Sequence, residues 1–138
     1  MKISEIMTKE PCILSEDATI LEAIKEMEST DCGILPIGNE ENIEGVITDR
    51  DIVMRAVAKN KDLNNTLVKE IMTKEVVCCE EDSELEEAVM QMSECSIRRI
   101  LVKNGQHKLS GIVSLGDIIR RVKDKTLLAK IFNETAIA

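Results

Sequence analysis

Apolar residues recur at helical spacing over Ile20, Ala23, Ile24 and Met27, and again over Leu85, Ala88, Val89 and Met92. That period predicts two amphipathic helices, each with one buried stripe. Thr19 with Glu22 has the form of a capping box at the start of the first, and Ser83 with Glu86 is expected to play the same roles at the start of the second. After each helix the period shortens. Gly33 to Ile37 and Ile43 to Thr48 flank a polar turn, and Ile100 to Lys103 and Leu109 to Ser114 flank a turn carrying Asn104-Gly105. These runs predict two hairpins. A short extended stretch precedes each helix, Cys12-Ile13-Leu14 in one case and Val76-Val77-Cys78-Cys79 in the other. A second helix closes each set, over about Arg50 to Ala58 and about Gly116 to Val122. Short helical turns open the sets, at Ile3 to Met7 and at Val68 to Met72. A terminal helix is expected over Lys125 to Phe132, with Leu127, Leu128, Ile131 and Phe132 on one face.

The pattern is therefore β-α-β-β-α, twice, and the residues repeat with it. Ile6-Met7-Thr8-Lys9-Glu10 returns sixty-five positions later as Ile71-Met72-Thr73-Lys74-Glu75. At the same offset Asp17 matches Asp82, Glu22-Ala23 matches Glu87-Ala88, and Met27 matches Met92. One inserted residue makes the offset sixty-six, where Gly45 matches Gly111, Asp51-Ile52 matches Asp117-Ile118 and Arg55 matches Arg121. An internal duplication organises the chain. The expected division is a first repeat over 1–58, a polar linker over 59–66, a second repeat over 67–123 and a helical tail over 124–138. Each copy alone is too small to bury much core, so the two are expected to pack together, and the cleft between them is the first place to expect a site.

Composition narrows the function. Of 138 residues 43% are hydrophobic, yet Phe132 is the sole aromatic residue, so Ile, Val, Leu and Met must fill the core. A chain without aromatic stacking platforms and with net charge −8 is a poor match for nucleic acid. The acidity is uneven: residues 67–138 hold eleven Lys/Arg against twelve Asp/Glu, including Arg98-Arg99 and Arg120-Arg121. A local anion site there is compatible with the overall charge. No apolar run approaches a membrane span and no signal peptide opens the chain, so a cytoplasmic protein with reduced thiols is expected. The five cysteines, Cys12, Cys32, Cys78, Cys79 and Cys95, form no C-x-x-C pair and read as small buried hydrophobes. His107, the one histidine, falls in a hairpin turn and reads as a surface residue. No catalytic constellation is visible, and the chain does not read as an enzyme.

The chemistry concentrates at the two strand-to-helix junctions, Gly45-Val46-Ile47-Thr48-Asp49-Arg50-Asp51 and Gly111-Ile112-Val113-Ser114-Leu115-Gly116-Asp117. In both, an apolar strand ends in a hydroxyl residue with an aspartate three positions on. One reading is a helix cap, with the hydroxyl at the N-cap and the aspartate answering it. The other is a nucleotide site, with helix-start N–H groups and the hydroxyl facing phosphate and the carboxylate accepting ribose hydroxyls.

On these residues the chain resembles a tandem pair of cystathionine β-synthase (CBS) domains. The Ile-Met-Thr entry, the acidic turn before an Ala-bearing helix, Leu35-Pro36-Ile37 and both Gly-x-x-Thr/Ser-x-x-Asp junctions carry the likeness. The second copy is similar to a repeat in the regulatory γ subunit of AMP-activated protein kinase. The resemblance implies an α+β fold of pseudo-twofold symmetry, with Asp51 and Asp117 as ribose acceptors, Thr48 and Ser114 near phosphate, and Arg98 and Arg99 as phosphate ligands. Gly33 and Ile34 stand where the second copy has Arg98 and Arg99, and Arg50 is the candidate cation of the first junction. The expected function is a regulatory module that senses AMP, ADP, ATP or a related adenosyl compound and signals to a separate partner protein. Mg²⁺ beside a bound triphosphate is compatible with the Glu80-Glu81-Asp82 run. The alternative is a protein interaction module with a vestigial cleft. The apolar surplus of Ile52 to Ala58, with Met90, predicts a homodimer.

Overall fold

The computed structural model describes residues 1–134. In chain order it contains a 3-10 turn at Ile3–Glu5, β1 (Thr8–Lys9), α1 (Ile20–Thr30), β2 (Ile34–Gly38), β3 (Ile43–Thr48) and α2 (Asp49–Ile52), which continues as a π turn over Val53–Val57. A second 3-10 turn (Val68–Glu70), β4 (Cys78–Glu80), α3 (Leu85–Cys95), β5 (Arg99–Lys103), β6 (Leu109–Ser114), α4 (Leu115–Arg121) and α5 (Lys125–Glu134) complete it. Both hairpins and the helices α1, α3, α4 and α5 follow the hydrophobic pattern, whereas the single helix expected over Arg50 to Ala58 is an α turn followed by a π turn. The expected tail is helical to Glu134, and residues 135–138 of that expectation lie outside the described residues.

The chain forms two compact units, and neither is one uninterrupted repeat. One unit is Cys12–Val76; the other joins Met1–Pro11 to the chain from Val77 onward. In the latter, β1 pairs antiparallel with β6, Thr8 opposite Ile112 and Lys9 opposite Gly111, and the sheet order is β1-β6-β5-β4. In the former, Thr73 takes the equivalent place beside β3: the Val46 N–H donates to the Thr73 carbonyl at 2.9 Å and the Thr73 N–H to the Val46 carbonyl at 2.8 Å. Leu14 bridges β2 in parallel at Ile37, as β4 runs parallel to β5. Both sheets thus have one plan, and each is edged by the Ile-Met-Thr segment of the other copy.

Two glycines permit this edge. A Cβ on Gly111 would stand 2.6 Å from Met7 Sδ and 2.8 Å from the Thr8 carbonyl oxygen. A Cβ on Gly45 would stand 2.7 Å from the Thr73 carbonyl oxygen and 2.9 Å from Met72 Sδ. The entry segment lies against bare backbone, which explains in contact terms why Gly recurs at this offset.

Thr19, Thr48 and Ser114 are N-caps as expected, but the Thr19–Glu22 box is only half formed, since the structure gives the bond to the Thr19 hydroxyl and not the return bond from the Glu22 side chain. Thr19 Oγ1 accepts from the Glu22 N–H at 3.2 Å. Thr48 and Ser114 are N-caps with reciprocal boxes. The fourth corrects the sequence reading: the N-cap of α3 is Glu84, without a side-chain cap bond, so Ser83 and Glu86 do not form the expected box. The hydroxyl sits one residue too early. Ser83 instead donates its N–H to the Glu80 carbonyl, and its own carbonyl accepts from the Ile3 N–H. Helices α1 and α3 end alike, on Asp31 at φ 50 and Ser96 at φ 55, left-handed caps at matched positions.

In the unit Cys12–Val76 the core is Ile20, Ala23, Leu35, Ile37, Ile47, Ile52, Ala56, Val68 and Ile71. In the other it is built on Ile3, Leu85, Val89, Met92, Ile100, Val102, Val113, Ile118 and Ile131, with Leu127, Leu128 and Phe132 of α5 packed against it. The thiols do not all behave as core. Cys79 is buried, Cys12, Cys32 and Cys78 are half-buried, and Cys95 is exposed. His107 is exposed in its turn, at φ 61.

Candidate functional site

Four of the sequence-selected residues converge in the unit containing β5 and β6. Arg99 opens β5 directly opposite Ser114, the last residue of β6. The Ser114 hydroxyl accepts from the Asp117 N–H at 3.0 Å, and Asp117 Oδ2 accepts from the Ser114 N–H at 3.1 Å. The carbonyl of Arg98 accepts from the Leu115 N–H at 3.0 Å, so the arginine pair is pinned to the first turn of α4. The Arg98 side chain is exposed and that of Arg99 half-buried. Asp117 is buried, at 6% exposure. A carboxylate is buried only at a cost unless paired, and here two cations answer it. Arg120 Nη2 is 2.7 Å from Asp117 Oδ1, and Arg121 Nη2 is 3.9 Å from the same oxygen.

Thr48, Arg50 and Asp51 gather in the other unit on the same plan. The Asp51 N–H donates to Thr48 Oγ1 at 3.1 Å, the Thr48 N–H donates to Asp51 Oδ2 at 3.0 Å, and the Asp49 N–H donates to the Gly33 carbonyl at 3.0 Å. Arg55 Nη2 is 3.4 Å from Asp51 Oδ1. Arg50 is exposed, with its backbone N–H on Asp49 Oδ1. In both junctions the capping bonds use one carboxylate oxygen and leave the other facing arginine. The cap reading and the ligand reading of these motifs are therefore compatible: capping holds the carboxylate still and leaves its second oxygen outside the cap.

Two residues with no role assigned from sequence join the junctions to the entry segments. Arg121 donates to the Ile6 carbonyl at 2.7 Å and to Thr8 Oγ1 at 3.2 Å. Arg55 donates to the Ile71 carbonyl at 2.8 Å and to Thr73 Oγ1 at 2.9 Å. Each arginine thus ties its aspartate to the Ile-Met-Thr segment. The signal was present as identity of Arg55 with Arg121 and of Thr8 with Thr73 at their offsets, but nothing local showed that the two matches meet.

A pocket of about 400 Å³ lies away from these junctions, between β4 and α3, lined by Cys78, Cys79, Glu80, Glu87, Met90 and Glu94 among others. Its three carboxylates disfavour a phosphorylated ligand. Burial pushes the Cys79 thiol up to about 12, and burial also raises Cys78, so neither presents a ready thiolate. Among the described residues no helix is long and apolar enough to cross a membrane.

A family model for the CBS domain matches residues 3–58 and again 68–124. Among curated proteins, the inosine-5'-monophosphate dehydrogenase of Methanocaldococcus jannaschii is 37% identical over 123 residues, 88% of this chain but 24% of the enzyme. Among solved structures, a CBS domain protein of Pyrobaculum aerophilum complexed with AMP is 25% identical with TM-score 0.82, over 96% of this chain and 99% of that one. The CBS domain pair of protein MJ0100, in complex with 5'-methylthioadenosine and S-adenosyl-L-methionine, is 30% identical with TM-score 0.78, over 87% of this chain and 94% of that one.

Proposed function

The chain belongs to the CBS-domain family, with two such domains, and from that premise we propose that it is a regulatory module whose junctions bind an adenine nucleotide or adenosyl compound, of the AMP, ADP and ATP class. The observation that carries this is the pair of matched junctions. Each holds an aspartate immobilised through one oxygen, a hydroxyl beside it and cations around it. Ribose hydroxyls would donate to the second oxygen of Asp51 or Asp117. Thr48 and Ser114 would lie on the phosphate side, with Arg99, Arg98 and Arg50 as cations. Two neighbours of the same fold are bound to adenosyl compounds, AMP in one and S-adenosyl-L-methionine with 5'-methylthioadenosine in the other. The part shared with the dehydrogenase covers a minor share of that enzyme, so its activity is no guide to this chain.

Ligand binding would be read through the arginine ties. A ribose that takes Asp117 Oδ1 changes what Arg121 pairs with, and Arg121 holds the entry segment at Ile6 and Thr8. A coupling of ~1–3 kcal/mol between ligand and a partner-binding state suffices for regulation. A thermal-shift panel of AMP, ADP, ATP with and without Mg²⁺, NAD and S-adenosylmethionine tests the reading. At ~100 Kd a ligand adds roughly 2.7 kcal/mol. No shift with any adenosyl compound would leave the second reading, a protein interaction module.

That second reading rests on Val53, Met54 and Val57, each more than half exposed along one turn, and on Ile119 and Met90 in the other unit. The π turn, with the Ala58 N–H on the Val53 carbonyl, keeps Ile52 and Ala56 inward and leaves these apolar residues outside. We assign this surplus to a homodimer. Light scattering at micromolar concentration checks it: a dimer is expected for the native chain, and Val57→Glu should yield a monomer. A monomeric native chain overturns the assignment.

A further inference from the structure

The two junctions place one arginine differently. At offset sixty-six Arg50 stands against Gly116, and Met54 stands against Arg120. Each junction therefore holds one arginine of this i, i+4 pair, at opposite ends. In the second junction the Arg120 guanidinium rests on Asp117 Oδ1 at 2.7 Å. Its Nη1 lies 3.0 Å from where a Cβ on Gly116 would be. A Cβ at 116 would press on the guanidinium and push it aside by a few tenths of an ångström. An arginine or any other side chain at 116 would contest the space.

The pair is unequal in freedom. Asp117 is buried and fixed by Ser114, whereas the Arg120 side chain is 67% exposed. Oδ2 of Asp117 is engaged by the Ser114 N–H. The oxygen left for a ribose is Oδ1, the one that Arg120 already holds. A neutral nucleoside must compete with a cation for that oxygen and brings no anion in exchange. A phosphorylated ligand brings one, so the guanidinium can leave Oδ1 and still end on an oxyanion, its strongest class of partner.

We infer that Arg120 makes the second junction selective for phosphorylated over neutral adenosyl ligands, covering Asp117 Oδ1 in the free protein and turning to phosphate when ribose takes its place. This rests on the nucleotide reading above. It also separates the junctions: with Met54 at the matched position, Asp51 Oδ1 has Arg55 at 3.4 Å but no counterpart of the 2.7 Å contact from Arg120.

The test is calorimetric titration of AMP and of adenosine into the native chain, Asp51→Ala, and Asp51→Ala carrying Arg120→Met or Gly116→Ala. Asp51→Ala isolates the second junction. Arg120→Met should cost AMP about ten- to a hundredfold in affinity while adenosine is unchanged or tighter. Gly116→Ala, which crowds the guanidinium without removing it, should lower the ratio of AMP to adenosine affinity in the same direction. An unchanged ratio in both variants, or equal losses for the two ligands, overturns the inference and leaves the nucleotide reading standing. Loss of all binding in Asp51→Ala alone places the ligand at the first junction and also overturns it. A native chain that binds neither ligand ends both.

Discussion

Replacing Gly111 by Ala should loosen the edge on which the second junction depends. The added methyl would stand 2.6 Å from Met7 Sδ and 2.8 Å from the Thr8 carbonyl oxygen. The thioether end can swing, but the carbonyl belongs to the β1–β6 pair, and that pair spans only Thr8–Lys9. Relief therefore requires β1 to shift. A shift strains the Arg121 bonds to Ile6 and Thr8 and the packing of buried Ile3, Ile6 and Met7. Overpacking of this kind costs about 1–3 kcal/mol. At about 3–5 °C per kcal/mol for a chain of this size, the midpoint should fall by roughly 3–15 °C. Gly45→Ala meets the same geometry against Thr73 and should behave likewise. Gly105→Ala is the control: a Cβ there meets nothing within 4 Å, so it should be neutral or gain up to ~1 kcal/mol through the unfolded state. Thermal unfolding followed by circular dichroism reads all three. If Gly111→Ala and Gly45→Ala unfold within a degree of the native chain, the entry segments do not lie against these two glycines.

Two further outcomes are expected. Burial raises the Cys79 thiol from 9.0 to about 12, so the unfolded chain releases this proton first as pH rises, and stability contributed by the neutral thiol is lost between about pH 9 and 12; denaturant midpoints at pH 8 and 10.5 should show a loss of at most ~2 kcal/mol at the higher pH that Cys79→Ala lacks, and identical pH dependence of the two chains would refute it. Thr19→Ala removes a working cap and should cost about 0.5–2 kcal/mol, whereas Ser83→Ala should cost under ~0.5 kcal/mol, and equal losses in urea unfolding would contradict the assignment of Glu84 as the N-cap.

Much of the fold was legible because its signals are local. The stripes of α1 and α3 and the paired apolar runs of the hairpins state their period within a dozen residues. The junction motifs were legible for a different reason: they occur twice, and Thr48 with Asp51 and Ser114 with Asp117 repeat the same reciprocal bonds. What stayed hidden was non-local or depended on a single position. No local pattern tells that Thr8 pairs beside Ile112 and Thr73 beside Val46, since those contacts join segments distant in sequence. The expected helix from Arg50 to Ala58 breaks into an α turn and a π turn, which differ by one hydrogen-bond step and share an apolar pattern. Arg120 looked like any arginine near a helix end. Its guanidinium lies on Asp117 and beside Gly116, a placement that leaves no mark in a hydrophobicity profile.

Whether Asp51 and Asp117 accept a ribose or merely cap their helices decides the proposed function. Calorimetric titration of AMP into Asp117→Ala, Asp51→Ala and the double variant tests it directly, beside the unfolding midpoint of each. Each carboxylate–hydroxyl bond is charge-assisted and contributes roughly 1.5–3 kcal/mol, so the expected result is a loss of tenfold or more at the altered junction, no binding in the double variant, and the larger share of the loss in Asp117→Ala. All three should remain folded, at a cost of ~0.5–2 kcal/mol for each lost capping partner. Native AMP affinity in a folded double variant would show that the two carboxylates only cap their helices.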